Sequence, residues 1–182
     1  MTTYSSEVFA NVQSDTMRFG PALVMSRLFE RKPLDDFGWV KASILTLVGF
    51  AVYQSIVRYF VKTDGIKNNN FRFAVDDILK FGTMLVASRF LSGLPLNDNN
   101  WMKETASILA GFVTYDFVTI HAYDTSGFST VNKLAINDVI KFGTMFIVSR
   151  FLSGNEFNSE WAMSSTGFIV GLLAYDYLLV SY

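Results

Sequence analysis

Three polar side chains interrupt otherwise apolar runs, each directly after a tyrosine: Gln54, Asp116 and Asp176. A carboxylate in such surroundings is costly to bury unless a cation answers it. Candidate cations stand one segment earlier, at Arg18, Lys80 and Lys141. If each pair of segments folds about its turn, Asp116 reaches the level of residues 74–80. Lys80 then becomes its partner, and Lys141 becomes the partner of Asp176. Arg18 and Gln54 hold the same places in the first copy, with the acid replaced by an amide. Two chemistries follow. A carboxylate inside a membrane is a candidate for ion or proton passage. The plainer one is an acid–base couple that fixes the register of two helices. Threefold use of one couple favours the second.

Arginine and tryptophan make the other constellation. Arg27, Arg89 and Arg150 precede Trp39, Trp101 and Trp161 by about one hairpin turn. A cation over an indole face is favourable, and Asp98, Glu104 or Glu160 offer ion pairs. Three such arginines could also hold a lipid headgroup or an acidic partner. Gly82, Val86, Arg89 and Gly93 share a helical face, which is expected to meet a neighbouring helix closely.

Other chemistry is excluded or unsupported. The chain has no cysteine, so disulfides, zinc–thiolate sites and thiol catalysis are out. His121 is the single histidine, and no cluster has metal-ligand spacing. Phosphate loops, dinucleotide fingerprints and nucleophile elbows are missing. The expectation is no catalytic residue, no metal, no cofactor and no enzyme. A net charge of -1 gives no basic field for nucleic acid. The first residues lack the order of a cleaved signal peptide, and Thr2 does not suit myristoylation.

These residues are positioned by a pattern written three times. Asp15, Phe19 and Gly20 return as Asp77, Phe81 and Gly82, then as Asp138, Phe142 and Gly143, at offsets of 62 and 61 residues. A period this long marks one supersecondary unit used repeatedly. Each unit splits into two helical segments. The first segments are Asp15–Phe29, Asp77–Leu91 and Asp138–Leu152, roughly 22 Å long. Ser14, Asp76 and Asn137 are their expected N-caps, and each following Asp suits the helix dipole. Ser92-Gly93 and Ser153-Gly154 are stop signals. Pro21 requires a first-turn place or a kink.

The second segments open at the tryptophans, behind Asp36, Asp98 and Asn158 as caps. They run over Trp39–Val61, Trp101–Ala122 and Trp161–Tyr182, about 33 Å each, which matches a bilayer core. Small residues recur at four-residue spacing (Gly167 and Gly171, Ser107 and Gly111, Ala106 and Ala110), as in helices that pack closely in lipid. Polar links, Lys62–Val75 and Asp124–Ile136, join the units. Hydrophobic residues make up 51%, with 18 Phe and a mean hydropathy of +0.29. The expected fold is all-α: a six-helix bundle of three antiparallel helical hairpins, crossing a membrane. Residues 1–13 form an N-terminal segment, and the hairpin repeats are 14–75, 76–136 and 137–182, in one compact domain. Lys and Arg divide eight to seven between the two ends, so the positive-inside rule sets no orientation.

The repeated words at Lys80–Gly93 and Lys141–Gly154, Lys-Phe-Gly-Thr-Met through Ser-Arg-Phe-Leu-Ser-Gly, resemble small repeat-containing multi-pass proteins of giant, nucleo-cytoplasmic large DNA viruses. The resemblance implies a structural protein of the virion's internal membrane, with capsid or membrane proteins as partners, and no catalytic residues. Three functions are thus expected in order: an integral structural membrane protein that contacts lipids and self-associates or binds a capsid layer; an ion channel or transporter using Asp116 and Asp176; and a soluble helical-repeat interaction module.

Overall fold

The three tryptophan-led helices begin where the caps say they should. Asp36 accepts from the Trp39 amide at 3.0 Å, Asp98 from Trp101 at 3.2 Å, and Asn158 from Trp161 at 2.9 Å. Each cap satisfies an amide that the helix leaves orphaned. The computed structural model describes residues 4–178, and among them it contains helices and turns but no strand. The long helices are α1 (Tyr4–Phe29), α2 (Phe37–Phe60), α3 (Asn69–Leu91), α4 (Asn99–Phe117), α5 (Thr130–Ser153) and α6 (Ser159–Leu178). A π turn at Tyr53–Val57 interrupts α2, and a 3-10 turn at Thr119–His121 follows α4. The expected end of the last helix, at residues 179–182, lies outside the described residues.

The odd-numbered helices start earlier than expected. Asn68 and Ser129, not Asp76 and Asn137, cap α3 and α5, and α1 is already helical at Tyr4 rather than from Ser14. The expected N-terminal segment is therefore mostly helix. The Asn and Ser of the polar links instead supply the caps, about two turns upstream. These helices hold 26, 23 and 24 residues, so they are about 35–39 Å long rather than 22 Å. Their stops follow the glycines: Gly93 and Gly154 take φ of 74°. The first hairpin has no glycine there, and Arg31 adopts φ 56° in its turn.

Packing runs from one copy to the next more than within a hairpin. The broadest contacts join α6 to α1, α4 to α5 and α2 to α3, which closes the six helices into a barrel with pseudo-threefold symmetry. The reason lies in three glycines. A methyl at Gly49 would stand 2.6 Å from the Met84 carbonyl oxygen, one at Gly111 would stand 2.8 Å from that of Met145, and one at Gly171 would stand 2.6 Å from that of Pro21. Gly167 makes a second such seat on Met25. Small residues therefore bring backbones together, but on the even helices. The expected face at Gly82 does not: Gly82 meets only the Leu109 side chain at 3.7 Å, and Val86 is exposed. Pro21 sits inside α1, beside the backbone that receives Gly171.

The core is aromatic. Phe19, Phe81 and Phe142 form a triangle with 6.0 Å between each pair of ring centroids. Phe50 stacks on Phe19 at 4.4 Å and Phe112 on Phe81 at 4.0 Å. The third copy has Leu172 at this place, and Phe168 reaches Phe142 instead, at 5.5 Å.

Candidate functional site

Each odd helix carries an Asp, a cation three residues later, and a core Phe one residue beyond that: Asp15, Arg18 and Phe19; Asp77, Lys80 and Phe81; Asp138, Lys141 and Phe142. The i, i+3, i+4 spacing puts all three on one face. The closed barrel turns that face to the axis. Each cation then reaches the acid of a neighbouring copy. Lys80 donates to Asp15 at 2.5 Å, Lys141 pairs with Asp77 at 2.5 Å, and Arg18 pairs with Asp138. The three pairs close a collar around the axis, one helical turn from the Phe triangle. Lys80 also lies 5.6 Å from the Phe19 centroid, and Lys141 lies 5.7 Å from that of Phe112. The apolar plug thus meets a cation face to face, a favourable contact for both.

This arrangement corrects the expected partners. Lys80 pairs with Asp15 rather than Asp116, Lys141 with Asp77 rather than Asp176, and Arg18 with Asp138 rather than Gln54. The level along the barrel is as expected, but the partner lies sideways across the symmetry axis rather than across the hairpin. The three acids expected only to favour helix dipoles, Asp15, Asp77 and Asp138, are the collar's anions. All three are buried. The signal for them was the thrice-repeated Asp and Lys or Arg at i and i+3, beside a Phe.

Gln54, Asp116 and Asp176 form the collar's outer layer. Gln54 donates from its amide to Asp15 at 2.7 Å and accepts from Arg58 at 3.1 Å. Asp116 and Asp176, each 2% exposed, lie within hydrogen-bonding reach of Asp77 and Asp138. The π turn of α2 spans Gln54.

The opposite end of the barrel holds the arginines. Arg27, Arg89 and Arg150 lie 5.7, 5.3 and 6.0 Å from the ring centroids of Trp39, Trp101 and Trp161. Each also donates from Nε to a turn carbonyl six residues on, at Pro33, Pro95 or Glu156. Arg27 and Arg89 add ion pairs of 2.9 Å to Asp36 and Asp98. The Trp39 and Trp101 amides, helped by these arginines, hold both carboxyls below the usual carboxylate range. The third copy has Asn158 in that place, so Arg150 has no carboxylate within ion-pair distance among the described residues. Glu160 pairs with Lys32 instead. His121 bonds to Asn70 at 2.7 Å.

Between the Phe triangle and this end lies a cavity of about 510 Å³. Its floor is Phe19, Phe81 and Phe142. Ser26, Ser88 and Ser149, equivalent in the three copies, line its wall, and Arg150 and Trp161 also contribute to its lining. Among the described residues no group of acids or histidines is arranged to hold a metal ion. Comparison with protein-family models, curated proteins and solved structures finds no match to this chain.

Proposed function

We propose that this chain is a structural multi-pass membrane protein, a rigid barrel of six helices standing in lipid. One observation supports this above the rest: the bundle buries a layer of charged groups beside its aromatic core and leaves many large apolar side chains exposed. Five buried Asp side chains face inward, while Phe9, Phe37, Phe60, Phe90 and Phe151 are 68–80% exposed. A surface of that kind in water is an association or aggregation hazard, whereas lipid accepts it. One described helix, Phe37–Phe60, is long and apolar enough to cross a membrane by itself. The others would cross as parts of a bundle that hides their charges. From Asp77 to Arg89 is 12 residues, about 18 Å of helix. The bilayer would thin locally, and the terminal Lys and Arg would snorkel.

The role is architectural. The Phe triangle closes the axis beside the collar, which weighs against continuous passage of ions. The resemblance of the repeated words alone supports the finer reading, an internal virion membrane with capsid proteins or further copies as partners.

The chain has no cysteine, so single cysteines report cleanly. Phe90→Cys and Phe151→Cys should stay unreactive to a water-soluble maleimide in membranes and react after detergent is added. The protein should also remain in the pellet after alkaline carbonate extraction. Release into the aqueous fraction, with both cysteines reactive from the start, would overturn the membrane reading.

A further inference from the structure

We propose that the axial cavity binds an amphiphile with one apolar tail and one anionic head. Its volume, about 510 Å³, falls in the range of small-molecule sites. The floor and most of the wall are aromatic and aliphatic, which suits an alkyl chain. The head is identified by a break in the threefold pattern. In the first two copies the turn-end arginine is neutralised by Asp36 or Asp98. The third copy has Asn158, and Arg150, bound to the Glu156 carbonyl, has no carboxylate partner among the described residues. That copy's Arg150, Ser153, Asn155 and Trp161 line the cavity, whereas Arg27 and Arg89 do not. Glu104 lines it as well, and it disfavours a second negative charge on the head. A carboxylate or a phosphate monoanion on Arg150 would gain charge-assisted hydrogen bonds, with the tail running to the Phe triangle.

Native mass spectrometry of the detergent-purified chain, with oleate and lysophosphatidate as separate probes, tests this. One adduct per chain is expected with at least one probe, and the probe retained identifies the head. Asn158→Asp, which supplies Arg150 with its missing partner and keeps the helix cap, should lower occupancy about tenfold, the worth of one charged hydrogen bond. Arg150→Gln should do the same. No adduct with either probe, or equal adducts in all three proteins, would overturn the proposal.

The collar supports a second, separate inference. It contains five carboxyls (Asp15, Asp77, Asp116, Asp138, Asp176) and three cations (Arg18, Lys80, Lys141). The cations are engaged by Asp138, Asp15 and Asp77. We infer that Asp116 and Asp176 each hold a proton, shared with Asp77 and Asp138. The first copy supplies the template: at the equivalent place, the Gln54 amide donates to Asp15. Of the two forms of an Asp side chain, only the neutral acid can donate there. The second oxygens of Asp116 and Asp176 are buried without a hydrogen-bond partner. Asp77, Asp76, Lys141 and Tyr115 face or adjoin Asp116; Asp138 and Arg18 face Asp176. A folded state that binds protons released on unfolding loses stability as pH rises.

Infrared spectroscopy of the purified protein at neutral pH should show the carbonyl stretch of neutral carboxylic acids. Asp116→Asn with Asp176→Asn should remove that band, keep the helical content and flatten the dependence of Tm on pH. A wild-type protein without the band, or one whose Tm follows sodium concentration instead of pH, would overturn the inference.

Discussion

In the first copy Gln54 reaches Asp15 with an amide; in the second and third, Asp116 and Asp176 reach Asp77 and Asp138 with carboxyls. The inner acid is the same in all three, and each receives a cation from a neighbouring copy, lysine twice and arginine once. The outer group varies between amide and carboxyl. The difference teaches that the outer position needs a hydrogen-bond donor rather than a charge. The charge balance is already met by Lys80, Lys141 and Arg18. Helix geometry varies with the outer group: α2 carries a π turn at Gln54, whereas α4 ends one residue after Asp116.

The comparison is broken most severely at the inner layer. Lys141→Leu strands Asp77 and should cost about 3–5 kcal/mol, read as a loss of Tm. The companion change Asp77→Leu should restore much of that. A double-mutant cycle should place the coupling of Lys80 on Asp15, by about 0.5–3 kcal/mol, and leave Lys80 with Asp116 nearly additive. The outer layer comes next. Gln54→Leu removes a donor from buried Asp15 and should cost about 1–3 kcal/mol. Asp116→Asn keeps a donor at the same size and should not destabilise at neutral pH, because it spares the folded chain a proton that the unfolded chain gives up. If Asp116→Asn proved as harmful as Gln54→Leu, the two outer groups would not be doing the same job. The smallest effect belongs to the far end of the barrel. Asn158→Asp should add at most about 1 kcal/mol, as a partly exposed ion pair does.

The hairpins and their caps were legible in the chain. Asp36, Asp98 and Asn158 announce their helices because an N-cap is a local device that depends on the next three residues alone. The stops at Gly93 and Gly154 are local for the same reason. The collar's depth was also legible, since counting residues from a turn fixes height along an axis. Its pairing was not. Height does not say which neighbour stands beside a residue, and that is decided by closure of the barrel. The glycine seats at Gly49, Gly111 and Gly171 could be recognised as small-residue positions, yet their partners, Met84, Met145 and Pro21, belong to the next copy. Asn68 and Ser129 were hidden within links whose polarity is shared by caps and loops alike.

The seat of α6 on α1, with the Ser14 and Tyr175 hydroxyls 3.4 Å apart, has a consequence for how the molecule is made. A linear array of repeats can stabilise itself unit by unit as it leaves the ribosome. A closed circle keeps one seam open to the end. Arg18 waits for its counter-ion until residue 138 has been synthesised, and Ala22 stays uncovered until Gly171 arrives. Closure therefore needs the last helix. The polypeptide could equally be opened at either inter-copy link and rejoined where first and last helices meet.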